Sequence, residues 1–302
     1  TYPSYSPASL HLSWAILKVE SVELVGAPAD GLVVQKGNQV TFKANIIPTG
    51  FTPPAGEPKW YCQQLKADGT WEAWQSCGPN ANGIQYAYTT SDSGVFRVKT
   101  VLTINGSSLE KMFERSADDP HSTLKVGDPD AFGVVDKASQ ITIRNKAKNY
   151  LGSVYYITAG SLPLWRDPLL LFDHQNKCNV FVADAVDEAG ANAGQPTLYV
   201  YLGSPPSANN WAGMPDRNDP NAPYPIANWT LMPDDTHPQP GHVTASGFES
   251  GASGHSGIVD YDGHWISAGP NNVNRKAEFG NSYRRSYWDG TFKPAGQRQF
   301  NN

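Results

Sequence analysis

The sequence predicts a two-domain protein in which an all-β sandwich, residues 1–130, precedes an α+β domain, residues 131–302. Short alternating strands fill residues 22–126, and Gly, Pro, Asn and Asp separate them. After residues 128–130 the pattern changes to helices followed by a small antiparallel sheet. Evenly spaced alternating strands are typical of an antiparallel β-sandwich. A length of 302 residues is sufficient for two hydrophobic cores.

Composition limits the classes of function. Charged residues make up 17% of the chain, the net charge is −5 and no long basic run occurs, which argues against a nucleic-acid partner. No segment approaches the run of about 18 apolar residues that a membrane span requires, so we expect no membrane span. The opening TYPSYSPASL lacks the basic and apolar regions of a signal peptide, and it predicts a mature form or a piece of something larger.

The three cysteines predict one disulfide and one remaining thiol. Cys62 and Cys77 flank a predicted hairpin, and counting outwards from a tip at Gly69-Thr70 places them directly across from each other. Cross-strand cysteines at that separation can form a disulfide, whereas two thiols in a reducing cytosol are the alternative. The disulfide would leave Cys178 as the third cysteine.

The N-terminal half resembles the immunoglobulin-like family through KGNQVTFKA at 36–44, Trp60 and SDSGVFRV at 91–98. Ala44 and Val98 stand where that family usually has inter-sheet cysteines, and Phe96 stands where it has a corner tyrosine. The resemblance implies a binding or spacer module held by apolar packing, and it names no ligand.

Two tryptophans of this half, Trp71 and Trp74, are compatible with an exposed sugar-binding face. Tryptophans in such a setting are more often core residues or cross-strand pairs of a hairpin. We therefore predict a packing role for both.

The elements of the second half are delimited by caps and glycines. Asp136 and Asn176 are the predicted N-caps of two helices, and Gly152 and Gly190 are their stops. The stretch 204–241 is too long for a plain connection and predicts the wall of a cleft. The predicted elements are helices at 136–150 and 176–190 and strands at 197–203, 256–259 and 264–267.

Cys178 is the first candidate for chemistry because it lies in the first turn of the second predicted helix. The unpaired amides and the dipole of a helix start favour a thiolate at this position. A cysteine placed for packing would more naturally lie within the apolar stripe of the helix, but position alone leaves both roles open. That stripe consists of Val182, Ala185, Val186 and Ala189.

His255 begins a predicted strand that turns at Asp262-Gly263, and a histidine there can take the proton of a cysteine at a helix start. The register of the hairpin decides which group orients the imidazole. A two-residue loop at Asp262-Gly263 puts His264, Ile266 and Ala268 on the face of His255. A three-residue loop that includes His264 instead presents polar groups and places Asn271 opposite His255. The residues on that face are Trp265, Ser267, Gly269 and Asn271. Ser267 or Asn271 is therefore the predicted orienter.

Residues 238–269, PQPGHVTASGFESGASGHSGIVDYDGHWISAG, resemble an NlpC-type, papain-like cell-wall amidase or endopeptidase, and CHAP-type amidases share the pattern. The C-x-x-F-V pattern beginning at Cys178 and the segment NKAKNYLGSVYY at 145–156 also resemble that family. The resemblance covers residues 131–275 and implies a papain-like α+β fold. His242 stands where family members often have Asp, and Ser267 where many have a stronger hydrogen-bond partner, which leaves a triad and a Cys/His dyad open.

The resemblance implies a thiol hydrolase that cleaves amide bonds in peptidoglycan stem peptides. Cys178 would be the nucleophile, His255 the base and then the acid, and Ser267 or Asn271 the orienter. The expected setting is an exported protein of the bacterial wall or an interbacterial type VI effector, which would have an immunity protein as partner. The alternatives are a protease or deamidase that acts on a host or target protein, and a non-catalytic wall-binding or adhesion protein. No metal or cofactor is expected, since no histidine pair has the spacing of zinc ligands.

Overall fold

The computed structural model describes most of the chain in separate stretches that contain three β-sheets and three helices. The described residues are 17–25, 32–117, 120, 124–156, 177–192, 205–213, 224–233, 235–246, 254–269, 272–276 and 296–302. The predicted strand at 197–203 lies outside them.

Two sheets form the N-terminal module. Its strands are β1 (Lys18–Val25), β2 (Val33–Gln35), β3 (Gln39–Ile47), β4 (Lys59–Gln64), β5 (Gln75–Ser76), β6 (Gln85–Thr89), β7 (Gly94–Ile104), β8 (Ser107–Met112) and β9 (Phe132–Val135). One sheet has the order β1-β3-β6, and the other has the order β2-β9-β7-β4-β5 with β8 paired to β7. All pairings are antiparallel except that of β2 with β9.

The core of this module lies between its two sheets. Alternation in β3 turns Val40, Phe42 and Ala44 inwards, where they share one apolar cluster with residues of β4, β7 and β9. The ring of Trp60 is fully buried 5.6 Å from that of Phe42, and its Nε1 donates a hydrogen bond to the Gly83 carbonyl at 2.8 Å. Ala44 and Val98 are both buried, so apolar packing fills the two positions.

Strand β9 carries the second sheet past residue 130. It pairs with β2 on one side and with β7 on the other, and Phe132 and Val134 lie in the core. The N-terminal module therefore extends to Val135. Residues 131–135, predicted to belong to the second domain, are part of the first module.

Both tryptophans of the sugar-binding hypothesis pack against their own module. The Arg97 guanidinium lies 4.1 Å from the ring centroid of Trp71, and the Lys99 ammonium lies 4.9 Å from that of Trp74. Trp71 also packs on a small cluster that includes Leu65. These cation–π contacts agree with the packing role predicted for the two rings.

Cys62 and Cys77 form a disulfide with a Cα–Cα distance of 5.1 Å, which confirms the predicted bond. The predicted register was wrong, because Cys62 pairs with Gln75 and not with Cys77. The hairpin tip is a three-residue loop of residues 67–69, closed by a hydrogen bond from the Lys66 amide to the Thr70 carbonyl. The two cysteines are thus diagonal neighbours on one face of the strand pair.

The C-terminal module has one sheet and three helices. Its elements are α1 (Ala138–Asn149), α2 (Cys178–Glu188), α3 (Ala208–Trp211), β10 (Trp229–Leu231), β11 (Val243–Ser246), β12 (His255–Val259), β13 (Trp265–Ala268), β14 (Val273–Lys276) and β15 (Gly296–Phe300). The sheet is antiparallel and has the order β10-β15-β11-β12-β13-β14. Residues of α1 and α2 share one apolar cluster with Val243, Ile258 and Ile266 of the sheet.

The N-cap of each long helix lies one residue after the predicted N-cap. The N-cap of α1 is Lys137, whose amide donates to Gln140 Oε1 at 2.9 Å, and not Asp136. The N-cap of α2 is Lys177, and the predicted cap Asn176 lies outside the described residues. Gly152 and Gly190 follow the helices with φ of 82° and 71°, values that glycine adopts without steric cost.

Parts of the predicted cleft wall at 204–241 contribute to the core of the module. Trp211 at the end of α3 and Trp229 in β10 are both buried, with ring centroids 5.0 Å apart in an edge-to-face arrangement. Residues 214–223 of this stretch lie outside the described residues. Trp211 and Trp229 therefore serve packing, and a cleft wall formed by the rest of the stretch stays a prediction.

Candidate active site

Cys178 is the first residue of α2, at the end of the helix where the backbone amides lack helical partners. Its Sγ lies 4.0 Å from the carbonyl oxygen of Gly254. Gly254 immediately precedes His255, so the sulfur lies at the beginning of β12. Helix α2 and strand β12 thus bring the two predicted reactive residues to the same end of the strand.

Cys178 is also deeply buried, with only 1% of its surface exposed. It belongs to the apolar cluster of α2, and that helix is buried far beyond its predicted stripe. Val180, Phe181 and Ala183, outside the stripe, are also fully buried. A molecule that reacts with this sulfur must displace the atoms that cover it.

His255 is hydrogen-bonded to Ser267, one of the two predicted orienters. The distance from His255 Nε2 to Ser267 Oγ is 2.6 Å, and Ser267 Oγ donates its proton to the Ser256 carbonyl at 2.8 Å. A hydroxyl has one proton, so Ser267 can only accept at His255. Nε2 therefore carries the hydrogen, and Nδ1 of the neutral imidazole keeps the lone pair that a general base needs.

The hairpin register differs from both alternatives of the sequence analysis. Ile258 pairs with Ile266 and Val259 with Trp265, and the Asp260 amide donates to the His264 carbonyl, which leaves a three-residue loop of residues 261–263. The predicted loop included His264 and placed Asn271 opposite His255, which is a shift of two residues. A shift of two residues preserves the face, so Ser267 remains beside His255. Asn271 lies outside the described residues.

Gly257 makes room for this arrangement. A Cβ atom at that position would lie 2.8 Å from the Ile266 carbonyl oxygen, 3.1 Å from Ser267 Cβ and 3.3 Å from Trp265 Cβ. The ring of Trp265 lies nearly parallel to that of His255, with centroids 6.3 Å apart. A side chain at position 257 would therefore displace the residues that hold the imidazole.

The Tyr-containing segment of the family resemblance contacts α2 in its second turn. The Tyr156 hydroxyl donates to Asp184 Oδ2 at 2.9 Å, and burial together with the Asp184 charge raises the pKa of Tyr156. The Tyr156 ring stands edge-to-face with those of Tyr150 and Phe181. This cluster fixes α2 relative to the segment that follows α1.

The other described histidines contact polar side chains and have no part in the proposed chemistry. His242 is fully buried with Nδ1 3.3 Å from Gln297 Oε1, and burial lowers its pKa to about 4. His237 lies 3.3 Å from Glu72, and His264 lies 3.1 Å from Asp262. Burial alone would lower the pKa of His264, but the charge and hydrogen bond of Asp262 outweigh it and raise the pKa. His174 lies outside the described residues.

Several buried charged residues near the site were missed by the sequence analysis. Lys177 is fully buried beside Cys178, and Arg115, Arg144 and Asp260 are buried around the β12–β13 turn. Charged residues are almost never fully buried unless they are paired, so a single sequence carries no signal that these would be buried.

No protein-family model, curated protein or solved structure matches this chain. In the part of the chain that the structure describes, no helix combines the length and apolarity needed to cross a membrane. The same residues contain no group of three or more His, Cys, Asp or Glu side chains that could hold a metal ion.

Proposed function

We propose that this protein is a cysteine hydrolase that cleaves amide bonds in peptidoglycan stem peptides. The observation that carries the proposal is the hydrogen bond of 2.6 Å between His255 Nε2 and Ser267 Oγ, which leaves Nδ1 as the basic nitrogen. The contact of Cys178 Sγ with the carbonyl beside His255 supports the same assignment. A thiol at a helix start with an oriented imidazole is the arrangement that nucleophilic acyl transfer needs.

The proposed reaction has two stages. His255 Nδ1 takes the thiol proton, and the Cys178 thiolate attacks the carbonyl carbon of the amide to give a tetrahedral oxyanion. Amides at the start of α2 stabilise that oxyanion, and the imidazolium returns its proton to the leaving amine. Water, deprotonated by His255, then hydrolyses the thioester and releases the thiol. Ser267 orients the imidazole in the triad version of this mechanism, which we favour over a Cys/His dyad.

The N-terminal module is proposed to be an immunoglobulin-like sandwich preceding an NlpC-type catalytic domain. Its buried tryptophan, its two facing sheets and the parallel pairing of β2 with β9 support this assignment. The Cys62–Cys77 disulfide supports an oxidising compartment, so we propose an exported protein or an effector delivered to a target periplasm. An effector of this kind would require an immunity protein as its partner.

The burial of Cys178 favours a second candidate, a non-catalytic wall-binding or adhesion protein in which this cysteine only packs α2. Iodoacetamide labelling of the native protein near neutral pH separates the two. An activated thiolate accessible through fluctuation reacts faster than an ordinary thiol of pKa about 8.5, whereas a sealed core thiol reacts only on unfolding. Labelling that occurs only at the rate of global unfolding would favour the packing role.

Purified sacculi provide the direct test. We expect the wild type to release muropeptide fragments, detected by mass spectrometry, and Cys178→Ala to release none while its thermal transition and circular dichroism remain close to wild type. Equal release by Cys178→Ala would refute the mechanism. Release of no fragments by the wild type, with cleavage of a protein substrate instead, would favour a protease or deamidase.

A further inference from the structure

The turn of the β12–β13 hairpin, residues 260–264, lies between the two modules, and its Asp260, Tyr261 and Asp262 are buried. Its Gly263 has φ of 83°, and a Cβ atom there would lie 2.4 Å from Leu65 Cδ2 of the N-terminal module. Tyr261 packs in one apolar cluster with Val33 and Val135 of the same module. The turn that joins the strands of His255 and Ser267 is therefore seated in the N-terminal module.

Arg115, between β8 and β9, holds this turn by charged hydrogen bonds. Its Nη2 lies 3.0 Å from Asp262 Oδ2, 3.1 Å from the Tyr261 hydroxyl and 3.4 Å from Asp130 Oδ1. The side chains of Arg115, Asp130 and Asp262 are at most 7% exposed. Backbone hydrogen bonds from the Arg115 amide to the Asp128 carbonyl and from the Gly127 amide to the Arg115 carbonyl fix the segment that carries the arginine.

A second arginine, Arg144 of α1, holds the turn through Asp260. Arg144 of α1 lies with Nε 2.5 Å from Asp260 Oδ1, and both side chains are at most 1% exposed. The guanidinium carbon of Arg144 also lies 5.5 Å from the ring centroid of Tyr261. Two acidic residues of one turn are thus paired with arginines from different modules. A pair that stays buried leaves an uncompensated charge when one partner is removed.

We propose that Arg115 is a positioning residue for the His255–Ser267 pair, so that the N-terminal module forms part of the catalytic unit. The inference rests on the proposed function, but it adds a role that the family resemblance does not give to the first module. His255 and Ser267 lie on the two strands that the turn joins, and their hydrogen bond depends on the register of those strands. Releasing Asp262 frees the turn to move, and the imidazole then loses its fixed orientation.

The charges around the turn agree with this role. Burial alone would raise the pKa of Asp262, but the charge and hydrogen bond of His264 and the charge of Arg115 outweigh it and lower the pKa. Asp262 is therefore ionised in the folded protein and remains a partner for Arg115. A spacer domain would be expected to contact its neighbour through a hydrated, mostly polar surface. Here, in contrast, the Arg115–Asp262 ion pair that joins the two modules is buried.

The test uses the full chain with Arg115→Met, Arg115→Lys and the control Lys111→Met. Lys111 forms an ion pair with Glu114 at 2.6 Å in the same region, and the two side chains are 27% and 32% exposed. The readouts are kcat and KM for fragment release, measured below the thermal transition of every variant. The side-chain spectrum of ¹⁵N-histidine-labelled protein adds a second readout, because it reports the tautomer of His255.

We expect Arg115→Met to lower kcat by about 100-fold with little change in KM, since small displacements of reacting groups have effects of that size. The Nε2–H signature of His255 should be lost, Arg115→Lys should restore part of both readouts, and Lys111→Met should match the wild type. Wild-type kcat and an unchanged His255 spectrum in folded Arg115→Met would overturn the proposal. If Arg115→Met does not fold, kcat and the His255 spectrum of Arg115→Lys are compared with those of the wild type instead. The single ammonium of lysine cannot reproduce all the hydrogen bonds of the guanidinium group.

Failure of the proposed function is distinguishable from failure of this inference. A wild type without activity on sacculi contradicts the hydrolase, and the histidine spectrum then decides the positioning role alone. A spectrum that changes in the Arg115 variants and not in Lys111→Met supports the role, and an unchanged spectrum overturns it.

Discussion

At the scale of single residues, Ser267 determines which ring nitrogen of His255 carries the hydrogen. Because its only proton goes to the Ser256 carbonyl, it accepts the Nε2 hydrogen and leaves Nδ1 unprotonated. Gly257 is required beside it, since any larger residue would contact Ser267 and the Ile266 carbonyl. The His-x-Gly spacing in the sequence thus has a steric reason that the structure makes visible.

His242 predicts a pH dependence of stability. Its pKa is about 4 in the folded protein and 6.5 without the fold, because burial disfavours the charged ring. Between these values the unfolded chain binds more protons, so stability falls as the pH drops below 6.5 and the loss levels off near pH 4. The full penalty is roughly 3 kcal/mol, at 1.36 kcal/mol for each pKa unit.

The variant His242→Asn isolates this effect, because an amide can still donate to Gln297 Oε1 while having no titration in this range. We expect its free energy of unfolding, measured by urea denaturation from about pH 7.5 to about pH 4.5, to depend less on pH than that of the wild type. Parallel curves for the two proteins would show that His242 does not titrate on unfolding.

At the scale of elements, two hairpins share one turn chemistry. In residues 67–69 and 261–263, an Asp-Gly pair forms the last two positions of a three-residue loop, and the glycine has φ of 81° and 83°. Asp68 Oδ1 accepts from the Thr70 amide at 2.9 Å, and Asp262 Oδ1 accepts from the His264 amide at 3.1 Å. Asp-Gly also suits two-residue loops, so the sequence alone left the register open by one or two residues.

The β12–β13 hairpin predicts different effects for two buried serines. We expect Ser267→Ala to lower kcat for fragment release by at least about tenfold, because general base catalysis is worth roughly 10²–10⁴-fold and needs an oriented imidazole. Ser246→Ala is the matched control. Ser246 pairs with His255 in the sheet, and within the described residues its buried hydroxyl has no hydrogen-bond partner.

Steady-state kinetics of both variants on sacculi provide the measurement. The Ser246 variant should retain wild-type kcat, since it loses no bond to the imidazole. Equal losses in the two variants would indicate a general packing effect, and no loss in Ser267→Ala would favour a Cys/His dyad.

Helix α2 shows how far an amphipathic pattern can be trusted. Val182, Ala185 and Val186 of the predicted stripe are buried and Ala189 is partly buried, but the opposite side is buried too because α1 and the sheet both cover the helix. The argument that a packing cysteine belongs in the middle of the stripe therefore loses force.

At the scale of the whole molecule, the two modules form a continuous structure. Strand β9 belongs to the second sheet and leads directly into α1, and Arg115, Asp130 and Asp262 form a buried network across the interface. Gln239 donates to Ser93 Oγ at 2.8 Å and to Asp136 Oδ2 at 2.9 Å, which adds a second polar link. The interface thus has fixed geometry at several points.

This continuity predicts a single unfolding transition. Because Tyr261 and Gly263 of one module pack on Val33, Val135 and Leu65 of the other, unfolding of either module would expose apolar surface of its neighbour, so neither is expected to unfold while the other persists. Calorimetry should give one peak with a calorimetric enthalpy close to the van't Hoff enthalpy. Two resolved transitions, or one module protected from proteolysis after the other has unfolded, would contradict a rigid interface.

The sequence by itself determined the features that depend on local patterns. Alternation predicted the strands of the first half, the bounds of both long helices were predicted to within two residues, and cysteine spacing predicted the disulfide. In the second half only the strands of the β12–β13 hairpin were predicted among the described strands, and β10, β11, β14 and β15 were missed. His255 and Ser267 were predicted as partners because a shift of two residues does not change the face of a strand.

Only the tertiary structure decided the burial of Cys178, the partners of Arg115 and the extension of the first module to Val135. Each depends on which distant segments meet, and polar residues such as Arg115 and Asp262 have sequence neighbours typical of solvated turns. Contacts between residues 147 positions apart leave no local pattern, because their free energy arises from burial and pairing in three dimensions.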